Sequence, residues 1–141
     1  VPVVGFAGDG AFGIAVNELT AIGRGDWPPV TQIVFRNYQW GAEKRNSTLW
    51  FEDNFVGTEL DEEVSYAGIA EACGLVGVVA RTMEELTEVL AKAIDDQMNH
   101  GKTTLIEAMI NQELGDPFRR DAMKKPVSIA GISADDMRPQ A

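Results

Sequence analysis

The sequence predicts a doubly wound α/β fold, a mostly parallel sheet with helices on both faces, followed by an extended C-terminal tail. Two observations carry this expectation. Apolar runs of strand length alternate with stretches whose apolar residues recur at helical spacing, and such alternation makes parallel βαβ units. The first run also passes straight through a Gly8-Asp9-Gly10 turn into a helical pattern, the usual entry into such a unit.

Val1–Ala7 is a continuous apolar run, as expected for a strand covered on both faces. Beyond the turn, Phe12, Ala15, Val16, Leu19 and Ile22 recur at helical spacing. Gly23 and Gly25 stop that helix and Pro28-Pro29 forbids its continuation. Thr31–Phe35 reads as the second strand. From Asn37 to about Asp61 no regular period is visible, and a connection of that length is usually functional or disordered. Its aromatics, Tyr38, Trp40, Trp50, Phe51 and Phe55, favour packing.

Ser65 is placed to cap a helix presenting Tyr66, Ile69, Ala70 and Cys73 on one face, ended by Gly74. Val76–Ala80 is a short strand. Thr82 and Glu85 form a capping box. The helix behind them carries Met83, Leu86, Leu90, Ala93 and Ile94, and closes at His100-Gly101. Thr103–Ile110 is the last strand, and no internal repeat is present. After Gln112 the prolines and mixed charge read as a tail.

The 141 residues carry a net charge of −10, unevenly spread. Residues 1–115 hold 7 basic and 18 acidic side chains, and residues 116–141 hold 5 and 4. This balance argues against nucleic acid, whose affinity comes from phosphate neutralisation. No apolar run is long enough to span a bilayer, so no membrane partner is expected. One cysteine, Cys73, excludes an internal disulfide and fits a reducing cytoplasm.

The chemistry gathers where the first two strands end. Twenty-eight residues beyond Asp9, the run Ile33-Val34-Phe35 ends in Arg36-Asn37. Magnesium takes oxygen ligands in near-octahedral array, commonly one or two side chains beside phosphate oxygens. An Asp and an Asn at the carboxyl ends of neighbouring parallel strands supply such a seat. The helix after the turn adds an N-terminus that favours phosphate. The pair therefore reads as a site for a magnesium diphosphate.

GDGAFGIAVNEL through VFRNYQWG resembles the signature of thiamine-diphosphate-dependent enzymes: GDG, a spacer somewhat under thirty residues, then Asn. The resemblance, clearest from Gly8 to Leu60 and again from Lys124 to Gln140, covers essentially all 141 residues. It points to the branch of that family converting sulfoacetaldehyde and phosphate to acetyl phosphate and sulfite. It implies thiamine diphosphate and Mg2+ as cofactors. Asp9 and Asn37 would bind the metal through side-chain oxygens and Gln39 through its main-chain carbonyl. Gly10 and Ala11 would offer amides to a phosphate oxygen, and Trp40 and Gly41 would touch the diphosphate from the second loop.

Many relatives carry Asn-Asn where this chain has Arg36-Asn37, a departure expected to put a cation beside the phosphates. No catalytic residue is assigned within these 141 residues. The resemblance places the activating glutamate on a separate pyrimidine-binding domain, of the same or a partner subunit, in a homo-oligomer. Glu18 matches a common family position without replacing it. Residues 1–115 are thus read as the diphosphate- and magnesium-binding domain, beginning inside a strand of a longer polypeptide, with 116–141 as its tail.

Lys44, Arg45 and Arg36 are candidates to hold a sulfonate or the phosphate acceptor, although loop cations are more often solvated. His100 at a helix C-terminus and Cys73 on an apolar face read as structural. An acetolactate-synthase-like carboligase or a sulfopyruvate decarboxylase would use the same anchor. A non-catalytic magnesium-diphosphate or assembly module of flavodoxin-like topology is the reading from a different class.

Overall fold

Four of the apolar runs pair side by side in a parallel sheet, and their order fixes where the ligand edge lies. The computed structural model describes residues 1–113 together with Ser128–Ile129 and Ile132–Ser133. The chain divides into two compact units, Val1–Tyr38 with Asp61–Asn111, and Gln39–Leu60 with Gln112–Ala141.

In the first unit the strands are β1 (Val4–Gly8), β2 (Thr31–Arg36), β3 (Val76–Ala80) and β4 (Thr104–Met109), in the order β1-β2-β4-β3. All three pairings are parallel. Successive side chains of β2 and β4 point to opposite faces, and that alternation builds two cores. Val34 and Leu105 pack with Leu19, Tyr66 and Ala70, drawing on α1 (Asp9–Ile14), α2 (Leu19–Ile22) and α4 (Tyr66–Ala72). Ile33 and Ile106 pack with Ala80, Ala93 and Ala108 under α5 (Met83–His100). Helices on both faces of a parallel sheet make the doubly wound arrangement that the sequence predicts.

The punctuation of this unit follows local chemistry. The Ser65 hydroxyl accepts the Gly68 amide at 3.1 Å and opens α4. The Thr82 hydroxyl accepts the Glu85 amide at 3.1 Å. The Glu85 carboxylate takes the amide of Arg81, not that of Thr82, so the box closes one residue early. Gly101, at φ 65°, ends α5 in the left-handed conformation that a residue without Cβ adopts readily.

Gly77 is needed for a different reason, since a Cβ there would stand 2.0 Å from the carbonyl oxygen of Ala67 in α4. Gly77→Ala must push a helix backbone off the sheet, and overpacking typically costs about 1–3 kcal/mol. A lower urea midpoint with unchanged m is expected; wild-type stability would mean that α4 has room to give.

Two expectations are corrected within this unit. The first helix is interrupted at Ala15, with a 3-10 turn at Val16–Glu18 between α1 and α2. Its apolar spacing survives because Phe12, Val16, Leu19 and Ile22 still meet one core. Among the described residues β1 is paired on one side alone, and its faces are not both covered, since Phe6 stays 66% exposed while stacking on Phe35. Apolar composition alone does not tell a covered face from an open one.

The second unit overturns the structureless reading of 37–61. Gly41–Trp50 forms α3, none of whose residues is fully buried, so no apolar stripe betrays it in sequence. Gln39 bridges to Glu59, Lys44 pairs with Glu59, and the Lys44 ammonium sits 5.3 Å from the Phe55 ring centroid. Ser128–Ile129 (β5) pairs antiparallel with Ile132–Ser133 (β6). The rest of the expected tail, 116–141, lies outside the described residues. Among those described, no helix is long and apolar enough to cross a membrane.

Candidate functional site

Register brings the two sequence signals of the first unit to one edge. Gly8 pairs with Phe35 and Arg36 with Met109. The residues that follow β1 and β2 therefore leave the sheet side by side at its carboxyl edge, where ligands of such sheets bind.

Asp9 opens α1 and is 2% exposed. Its two carboxylate oxygens are used unequally. Oδ2 accepts the amides of Asn37 at 3.0 Å and Tyr38 at 2.7 Å, and Nη1 of Arg36 at 3.2 Å. Among the described residues, Oδ1 accepts the amide of Gly10 alone, at 2.9 Å. Tyr38 has φ 59°, the left-handed region that a residue with a Cβ enters at some cost. That turn delivers two successive amides to one oxygen.

Arg36, the cation expected beside the phosphates, is 1% exposed, with its charge paired inside the protein. Besides Asp9, its Nη2 donates to the carbonyls of Asp61 and Val64, and its Nε lies 3.4 Å from Glu107 Oε1. Its carbon stands 4.3 Å from the Tyr38 ring centroid and 5.0 Å from that of Tyr66. Glu107, 3% exposed, accepts the Ser65 hydroxyl at 2.9 Å and the Ala67 amide at 3.1 Å through Oε2.

The Tyr66 hydroxyl donates to the Asp9 carbonyl at 3.1 Å. Burial pushes its pKa up against the pull of Arg36, with Asp9 and Glu107 adding to the rise, so it remains a donor at neutral pH.

The first unit thus offers a buried cluster of two carboxylates and one guanidinium, formally one negative charge. Asp9 Oδ1 has a single donor among the described residues. Asn37 is half-buried, and its side-chain amide has no hydrogen-bond partner among the described residues. Such a set fits Mg2+. No three His, Cys, Asp or Glu side chains gather to hold a metal by themselves among the described residues. A metal carried on a diphosphate needs fewer protein ligands, because the phosphates bring oxygens. At the first turn of α1, no side chain caps the helix. The Gly10 amide serves Asp9, and that of Ala11 is one of the amides a helix start leaves without an internal partner.

The remaining expected contacts belong to the second unit. Gln39 is buried, with its side-chain nitrogen on the Gln112 carbonyl at 2.9 Å. Trp40 donates its amide to the Thr58 carbonyl at 2.7 Å and precedes Gly41, the first residue of α3. Lys44 is committed to Glu59, whereas Arg45 keeps a buried Nε without a partner among the described residues. His100 lies 3.5 Å from Asp95 on the last turn of α5, and Cys73 packs against a core, both in structural places.

Sequence reading missed Glu107, Ser65 and Tyr66 as parts of this cluster. A lone carboxylate inside the apolar run Leu105-Ile106-Glu107-Ala108 was the available signal, since such a charge is buried only when paired.

Residues 1–108 match the family model of the thiamine pyrophosphate enzyme C-terminal TPP binding domain. The chain is 81% identical over 139 residues to a sulfoacetaldehyde acetyltransferase of Roseovarius nubinhibens, and 80% identical over 139 residues to one of Rhodobacter capsulatus. Each alignment covers 99% of this chain and 23% of the relative. A sulfoacetaldehyde acetyltransferase of Castellaniella defragrans is 52% identical over 91% of the chain and 21% of its own length. The chain therefore spans about a quarter of the length of these curated relatives. Among solved structures, benzoylformate decarboxylase from Polynucleobacter necessarius superposes with a TM-score of 0.67 at 25% identity, covering 81% of this chain and 20% of that one. A parallel sheet whose first turn presents a buried Asp beside the Asn of the next strand, with a family match over 108 residues, places the chain among the thiamine pyrophosphate enzymes, as their C-terminal TPP binding domain.

Proposed function

We propose that residues 1–115 anchor the diphosphate of thiamine diphosphate through Mg2+, in an enzyme converting sulfoacetaldehyde and phosphate to acetyl phosphate and sulfite. The observation carrying the anchor is the unequal use of the Asp9 carboxylate, with Oδ2 saturated and Oδ1 holding one donor. Asp9 Oδ1, the Asn37 amide oxygen and the Gln39 carbonyl are the metal ligands in this reading. Amides of Gly10 and Ala11, with Trp40 and Gly41, meet the diphosphate. The bound cofactor supplies the carbon nucleophile of the reaction. The chain's own residues neutralise and orient its charged end.

The substrate half of the proposal is supported by two sulfoacetaldehyde acetyltransferases that are 81% and 80% identical to this chain. The activating glutamate comes from a pyrimidine-binding domain of the same or a partner subunit. A homo-oligomer in the cytoplasm is the expected setting, and exposed Val3, Phe6, Ile14 and Trp27 on the first unit favour burial against further protein.

The test is a substrate screen on the full-length enzyme with Mg2+ and cofactor. Sulfite and acetyl phosphate should appear from sulfoacetaldehyde in phosphate buffer. Acetolactate from pyruvate, or carbon dioxide from sulfopyruvate, in place of sulfite release would assign the same anchor to a different reaction.

A further inference from the structure

We infer that Arg36 and Glu107 are positioning residues for the metal, holding Asp9 so that one carboxylate oxygen is kept for Mg2+. The inference rests on the reading of Asp9 as a metal ligand. Three donors converge on Oδ2, from Asn37, Tyr38 and Arg36, and one on Oδ1, from Gly10. That imbalance fixes the rotation of the carboxylate and leaves Oδ1 the better acceptor for a cation. Arg36 is fixed in turn by Glu107, by two main-chain carbonyls and by the faces of Tyr38 and Tyr66. Glu107 is fixed by Ser65 and Ala67 at the start of α4. A chain of contacts therefore runs from α4 through β4 and β2 to the metal ligand at the end of β1.

Charge points the same way. Buried ion pairs are expensive, and apolar replacements of similar volume are often at least as stable. A purely structural need would be met by an apolar core at Arg36 and Glu107. What the apolar core would not give is the charge balance. With Glu107 present, the positive charge of Arg36 is shared between two carboxylates and the cluster keeps one formal negative charge for a divalent cation. Without it, Arg36 and Asp9 cancel. Partners behind a metal ligand orient it and raise its basicity, and their loss typically costs about 10–100-fold in metal affinity.

The experiment titrates Mg2+ into full-length apoenzyme with thiamine diphosphate present. It follows cofactor binding by intrinsic fluorescence and records the thermal midpoint of each apoenzyme. Glu107→Gln and Arg36→Lys are each expected to raise the half-saturating Mg2+ concentration about tenfold or more. Arg36→Lys keeps the charge and breaks only the planar fork, so it carries the test where Glu107→Gln fails to fold. A lowered thermal midpoint with unchanged half-saturation in both variants, beside a lost response in Asp9→Ala, overturns the positioning role and leaves the site intact. Unchanged half-saturation in Asp9→Ala as well overturns both.

Discussion

Given thiamine diphosphate and Mg2+, the 141-residue chain by itself is expected to leave hydrogen–deuterium exchange at the cofactor's thiazolium carbon at the rate of free cofactor. The reason lies in which carboxylates the chain presents. At the carboxyl edge of the sheet, Asp9 and Glu107 are both buried and both paired with Arg36. Glu18 is exposed, outside both cores, in the turn between α1 and α2. The family resemblance assigns the activating glutamate to a different domain. A positioned proton-transfer partner commonly contributes about 10²–10⁴-fold, or ~3–5 kcal/mol. That contribution should be missing. Proton NMR of the cofactor in deuterated buffer, with and without the chain, reads the rate directly. Acceleration of about a hundredfold or more would mean that an activating group lies within these residues.

The parts of the molecule legible in sequence were those where one local rule decides the outcome. Ser65 and Thr82 cap helices because a side-chain oxygen can satisfy an orphan amide, and Gly101 ends α5 because its φ suits glycine. β2, β3 and β4 stood out because an apolar run between helical patterns has few other places to go. The juxtaposition of Asp9 and Asn37 was legible because parallel register brings consecutive strand ends together.

The misses share a different cause. α3 buries no residue completely, so its periodicity carries no signal. The exposure of Phe6 on β1 depends on what packs over it, which composition does not encode. The burial of Arg36 is not visible in sequence because its partners are remote, Asp9 by 27 residues and Asp61 by 25. Glu107 is another 46 residues beyond Asp61 and becomes relevant only once β4 pairs with β2.

Asp9 is where the sequence signal, the geometry and the proposed chemistry meet, and its removal should have the largest effect on the cofactor. Asp9→Ala need not unfold the protein, because Arg36 keeps Glu107 and two main-chain carbonyls, so no buried charge is left uncompensated. What disappears is the carboxylate oxygen proposed as a Mg2+ ligand. Loss of a group merely supporting a metal ligand typically costs about 10–100-fold in metal affinity, and loss of the ligand itself should cost at least the upper end of that range. The decisive measurement is calorimetry of thiamine diphosphate binding to full-length wild-type and Asp9→Ala enzyme, each with Mg2+ and with a chelator. Wild type should bind tightly only with Mg2+, while Asp9→Ala should bind weakly and equally under both conditions. Tight, Mg2+-dependent binding by Asp9→Ala would contradict the assignment of the site.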